Sequence, residues 1–158
     1  MKRILIIDYG MGNLHSVASA IRKLGYNSKI SSSKKEIKDA SHLILPGVGQ
    51  FTKAMSNLKL SGLDETIIEV SNNKKAKILG ICLGMQILCK SSSEGEVITQ
   101  GLGLINTDVI KLNQDKKYKL PHIGFNEVAF DKNSIFKNSE KIVQDYYFVH
   151  SYCLSNFE

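Results

Sequence analysis

Apolar and polar positions along the chain follow two alternating rhythms. Arg3–Asp8 carries a continuous apolar run closed by an acid, the pattern of a parallel strand buried on both faces. The glycine-rich turn Tyr9-Gly10-Met11-Gly12-Asn13 follows. Leu14, Val17, Ala18, Ile21 and Leu24 then recur at helical spacing, and Gly25 stops that helix. Asn27–Ile30 reads as a short strand, and Lys34–Ala40 as a short helix capped by Ser32 or Ser33. Leu43–Leu45 predicts a third strand ended by Pro46-Gly47, and Phe51–Leu58 and Leu63–Val70 predict helices. Lys77–Ile81 is a fourth strand, and Leu83–Cys89 opens the next helix. Strands alternating with helices imply a parallel α/β sheet. Past Ser91 the rhythm changes. Ser91–Glu96 is a polar loop, and Val109–Leu112, Asn126–Phe130 and Tyr146–Tyr152 read as strands with little helix between them. An antiparallel extension of the parallel core is expected there.

Bulk properties narrow the class. A length of 158 residues predicts one domain, 1–158, large enough to bury roughly 70% of its unfolded surface. No apolar run reaches the ~18 residues of a membrane span. The opening Met1–Asp8 is too short in its apolar part for a signal peptide, so a cytoplasmic protein is expected. Cys82, Cys89 and Cys153 form neither a disulfide framework nor a metal-ligand spacing. No metal and no cofactor is expected. The net charge of +6 comes almost wholly from lysines such as Lys34-Lys35, Lys74-Lys75 and Lys116-Lys117. They are scattered without aromatic interleaving, which reads as solvated faces rather than a nucleic-acid surface.

The candidate chemistry centres on Gly80-Ile81-Cys82-Leu83-Gly84, a G-x-C-x-G elbow between an apolar strand and a helix. It is the thiol counterpart of the G-x-S-x-G turn. A nucleophile on so tight a turn needs tiny neighbours two residues away. The turn aims the sulfur at the start of the following helix, where the dipole favours thiolate. The competing reading is a buried structural cysteine. Gln86 lies one turn further on, placed to hydrogen-bond a polar substrate beside the sulfur or simply to face solvent. Pro46-Gly47-Val48-Gly49 follows a strand end, where ligands bind in doubly wound sheets. Its backbone N–H groups, with that of Leu83, are candidates for an oxyanion hole. The competing reading is a plain strand-to-helix turn.

These stretches carry a resemblance. Asp8–Leu14, Leu45–Gly49, Gly80–Gln86, Gly101–Ile105, Pro121–Asn126 and Phe148–Tyr152 occur in that order. Together they resemble the glutamine amidotransferase subunits of imidazole glycerol phosphate synthases, within the class I glutamine amidotransferase family. The resemblance spans the whole chain. It implies a flavodoxin-like parallel sheet with helices on both faces and an antiparallel extension. It also implies a glutaminase: Cys82 attacks the carboxamide of glutamine, and a thioester forms and is hydrolysed to glutamate. Gly47, Val48 and Gly49 would form the oxyanion strand, which in the family responds to ligand on the partner. Gln86, His150, Ser151 and Tyr152 would hold glutamine. Ammonia would pass to a (β/α)8 cyclase subunit for imidazole glycerol phosphate formation in histidine biosynthesis. Asn13, His122 and Phe125 match positions at or near that heterodimer's interface.

The sequence also departs from the family. The family's triad is completed by a His-x-Glu pair in a closing Gln-Phe-His-Pro-Glu segment, and no such segment occurs through Glu158. The fold is therefore expected to lack the final strands and helix, as a C-terminally truncated domain with apolar surface exposed. Such a chain is expected to show little glutaminase activity, since positioned acid–base groups contribute about 10²–10⁴-fold. The four histidines, His15, His42, His122 and His150, each have another reading. Phe125 stands where the family usually has tryptophan. Two alternatives remain open: a paralogue feeding ammonia to another synthase, such as a sugar amidotransferase, and a non-catalytic partner-binding subunit.

Overall fold

Leu5, Ile6 and Ile7 are consecutive and all buried. Neighbouring side chains of a strand point to opposite faces, so this strand is covered on both sides. It lies in a computed structural model that describes residues 3–113, 119–130 and 143–155. The Lys116-Lys117 pair falls outside the described residues. Contacts divide the chain into two compact units. The first runs to Ile110 and resumes at Leu154, and the second is Lys111–Cys153.

The first unit begins with β1 (Ile4–Ile7), α1 (Leu14–Lys23), β2 (Ser28–Ser31), α2 (Lys34–Asp39) and β3 (His42–Gly47). There follow α3 (Phe51–Ser61), α4 (Leu63–Asn72), β4 (Lys77–Cys82) and α5 (Leu83–Gln86). The strands form one parallel sheet in the order β2-β1-β3-β4. This is the doubly wound α/β arrangement expected from the alternating pattern. The helices seal it with Ile21 and Ile37, with Phe51, Ala54, Met55 and Leu58 of α3, and with Leu63, Ile67 and Val70 of α4. Fully burying a Val, Leu, Ile, Phe or Met side chain contributes about 1.5–3 kcal/mol. Asn13 caps α1 by accepting the Ser16 N–H at 3.2 Å. Gly62, in the left-handed conformation, closes α3 and opens α4.

Several boundaries differ from expectation. Pro46-Gly47 does not end the third strand. β3 continues through both, with Pro46 opposite Ile81 and Gly47 opposite Cys82. Pairing with β1 has stopped at Ile44, so proline sits where that neighbour makes no ladder. α5 is a single turn rather than a helix through Cys89. Cys89–Ser92 instead forms β5, which pairs antiparallel with β6 (Thr99–Gln100) and parallel with β7 (Ile105–Lys111). Ser91 and Ser92 therefore belong to a strand, not to the expected loop.

In the second unit, β8 (His122–Ala129) and β9 (Val143–His150) form an antiparallel hairpin with His122 opposite His150. These strands are longer and start earlier than the apolar runs suggested. One face carries Ile123, Phe125, Tyr147 and Val149, all exposed. β10 (Tyr152–Leu154) leads the chain back to the first unit.

Candidate functional site

β4 ends on Cys82, whose backbone takes φ 54° and ψ −119° before α5 begins. A non-glycine residue there stores about 1–3 kcal/mol of strain, which the surrounding packing must hold. Two glycines make the turn possible. A Cβ on Gly80 would stand 2.6 Å from the Met85 nitrogen and 2.7 Å from the Gly84 carbonyl oxygen. A Cβ on Gly84 would run into the carbonyl oxygen of Leu45. The first glycine lets the chain fold back over its own strand, and the second lets α5 lie on β3. Cys82 is exposed, which removes the buried structural reading. Because α5 is one turn long, few peptide dipoles align toward the sulfur.

The second wall is the Pro46–Gly49 segment. Gly47 and Cys82 are register partners across β3 and β4, so the two stretches meet at the sheet's C-terminal end. A Cβ on Gly47 would stand 2.7 Å from the Gly84 nitrogen and 2.6 Å from the Tyr9 hydroxyl. Val48 and Gly49 emerge exposed, and Gly49 has φ 105°. Leu83 is buried directly after the cysteine, and Gln86, half-buried, closes the single turn. The structure thus brings together Cys82, Leu83, Gln86 and Gly47–Gly49.

The opening glycine-rich turn packs on this wall. Gly10 donates its N–H to Asp8 Oδ1 at 3.0 Å, closing the turn. A Cβ on Gly12 would lie 3.2 Å from the Pro46 carbonyl carbon and 3.3 Å from the Gly47 nitrogen. Tyr9 is buried, and its hydroxyl donates to the Pro46 carbonyl at 2.8 Å. Burial, reinforced by nearby Cys82, pushes the Tyr9 phenol well above its ordinary range and keeps it neutral. The side chain of Asn57 in α3 holds the Tyr9 carbonyl at 3.1 Å. At the far end of the segment, Glu94 accepts the Phe51 N–H at 2.9 Å and so caps α3 from the β5–β6 loop.

Sequence reasoning assigned no role to Tyr9, Asn57 or Glu94. Tyr9 did carry a signal: one bulky aromatic stands in a turn otherwise built for small residues. Asn57 and Glu94 act across 48 and 43 residues of chain, a separation that local pattern does not reveal.

Asn13 caps α1 in the first unit. His150, Ser151 and Tyr152 are in the second unit, as are His122 and Phe125. There the rings of His122 and His150 meet edge-on at 5.5 Å, and His150 Nδ1 lies 3.0 Å from the Tyr152 carbonyl oxygen. Ser151 accepts the Leu112 N–H at 2.9 Å through its carbonyl. Phe125 is 73% exposed and packs edge-on against Tyr147 at 5.2 Å. His42 shares a hydrogen bond with the Ser41 hydroxyl. Among the described residues no three His, Cys, Asp or Glu side chains gather to hold a metal ion, and no helix is long and apolar enough to cross a membrane.

Comparison with known proteins gives a consistent result. Residues 5–158 match the family described as glutamine amidotransferase class-I. Imidazole glycerol phosphate synthase subunit HisH 1 of Parasynechococcus marenigrum is 46% identical over 155 residues, covering 96% of this chain and 73% of the relative. The HisH subunit of Listeria welshimeri is 45% identical, over 94% of this chain and 70% of the relative. Among solved structures, a glutamine amidotransferase superposes with a TM-score of 0.75 at 15% identity, covering 98% of this chain and 75% of that one. A glutamine amidotransferase from Thermotoga maritima gives 0.60 at 18% identity, over 98% and 62%. At such identities the structural likeness speaks to the fold alone.

Proposed function

The chain belongs to the class-I glutamine amidotransferase family, and on that premise we propose that it is the ammonia-producing subunit of an imidazole glycerol phosphate synthase. Its substrate is glutamine. Its partner is the cyclase subunit that consumes the ammonia in histidine biosynthesis, and its place of action is the cytoplasm. Relatives that carry this name are 40–46% identical over most of the chain.

Cys82 is the nucleophile in this reading. Its thiolate sulfur bonds to the carboxamide carbon of glutamine, and the carbonyl oxygen takes up the negative charge. Backbone N–H groups of Gly47, Val48, Gly49 and Leu83 receive that charge. The tetrahedral adduct collapses by breaking its C–N bond, and the nitrogen leaves as ammonia, taking the proton that the Cys82 thiol gave up on ionising. Water then hydrolyses the thioester, returning the thiol and releasing glutamate. Gln86, His150, Ser151 and Tyr152 hold the substrate, and Asn13, His122 and Phe125 contribute to the cyclase interface. No cofactor takes part.

The observation that carries this reading is the left-handed turn at Cys82, exposed beside its register partner Gly47. Strain held at an exposed cysteine supports the nucleophile reading. The test uses the chain with its cyclase. Cys82→Ser should abolish whatever glutamine-dependent glutamate release the parent shows, while ammonium salts still support the cyclase reaction. Glutamine hydrolysis that survives the substitution would sink the assignment.

A further inference from the structure

Tyr9 touches the Pro46–Gly49 segment through a buried side-chain hydrogen bond. Its hydroxyl donates to the Pro46 carbonyl at 2.8 Å, and its side chain is 5% exposed. The carbonyl of Pro46 and the N–H of Gly47 belong to one planar trans peptide, in which they point in opposite directions. Gly47 is the last residue of β3 paired with β4, so whatever fixes that carbonyl fixes the strand end from which Val48 and Gly49 extend. The same hydroxyl occupies the space beside the Gly47 α-carbon, 2.6 Å from where a Cβ would sit, and so blocks a swing of that peptide toward Tyr9. The ring is held in turn: Asn57 binds the Tyr9 carbonyl, and Gly10, closed on Asp8, follows it.

We propose that the Tyr9 hydroxyl is a positioning group, anchoring the Pro46–Gly47 peptide so that the N–H groups of Val48 and Gly49 beyond it are held toward the oxyanion formed on Cys82. The inference rests on the glutaminase reading. Tyr9 touches no reacting atom and acts only through that peptide. Its neutral state suits the task, because a phenolate would repel both the Pro46 carbonyl and the cysteine sulfur. Burial and the neighbouring Cys82 favour that neutral form.

The test is Tyr9→Phe in the full chain, which keeps the ring and removes the hydroxyl. Cys82 is labelled with two reagents, and the mass increase is followed with time. A glutamine-like chloroketone passes through a tetrahedral oxyanion and needs the wall. Iodoacetamide is displaced at carbon without an oxyanion and does not. The variant should react about tenfold or more slowly with the chloroketone and within about twofold of the parent with iodoacetamide. With the cyclase present, kcat for glutamine should fall while KM holds. Equal slowing of both reagents, or a variant that does not fold, assigns the hydroxyl a packing role only and overturns the proposal. A variant indistinguishable from a reactive parent overturns it alone. A parent whose Cys82 shows no preference for the glutamine-like reagent overturns the glutaminase reading itself.

Discussion

The nucleophile turn and the β8–β9 hairpin use glycine and apolar residues in opposite ways. At the turn, neighbouring backbone leaves no space for a Cβ on Gly80 or Gly84, and backbone together with the Tyr9 hydroxyl leaves none on Gly47. On the hairpin, a Cβ on Gly124 would meet nothing within 4 Å, and Ile123, Phe125, Tyr147 and Val149 stand 57–73% exposed. The first region is specified by what cannot fit. The second is specified by register, with side chains left for something outside the hairpin to meet.

Substitutions test that contrast. The largest effect is expected from Gly84→Ala, whose methyl has no room beside the Leu45 carbonyl. It should cost more than about 4 kcal/mol in urea unfolding or leave no folded protein. A value under about 2 kcal/mol would show that α5 can lift from β3 at little cost. Next comes the buried thiol. Burial, with a smaller push from Asp108, raises Cys89 to about 11. At pH 8 it should hold roughly a hundredfold less thiolate than an unperturbed thiol, so alkylation should mark exposed Cys82 first and Cys89 last. The sign for stability follows. The folded state keeps the proton longer than the unfolded chain, so this contribution is intact below about pH 9 and is lost as pH rises toward 11. Early modification of Cys89 in native protein would contradict its burial.

Smaller effects separate strain from crowding. Gly25 has φ 81° and open space around it, so Gly25→Ala should cost only about 1 kcal/mol, read by the same urea titration. The smallest stability effect is expected at Phe125. Phe125→Ala should shift unfolding by less than about 0.5 kcal/mol, yet weaken cyclase binding by about tenfold or more in titration calorimetry. Unchanged affinity would remove Phe125 from the proposed interface.

The same contrast explains what was readable in the sequence. Leu5-Ile6-Ile7 announced a strand covered on both faces, because apolar continuity records burial directly. Cys82 was readable because its glycine neighbours are required by local geometry. The end of α5 was not. Ile87, Leu88 and Cys89 have helix-compatible side chains, but their carbonyls accept N–H groups from Leu102, Gly103, Leu104 and Ile105. Those long-range bonds outcompete helix continuation, and Gly101 is small enough to let the segments approach, since its Cβ would collide with the Cys89 carbonyl. Pro46 misled for a related reason. Proline ends a strand only where its missing N–H is needed. The roles expected of His150, Ser151 and Tyr152 came from resemblance, since a histidine in a strand looks the same whether it packs or binds.

Glu94 has a consequence for the site, although it lies 43 residues from the N–H it binds. Gly47 is tied at one end by its pairing with β4, and Phe51 at the other by that carboxylate. Val48, Gly49 and Gln50 are therefore a three-residue bridge with clamped ends. Such a bridge has almost no translational freedom. Its remaining motion is the turning of peptide planes in place, and the most permissive pivot in it is Gly49. Freedom of that kind is rotational, like a latch turning on a fixed pin.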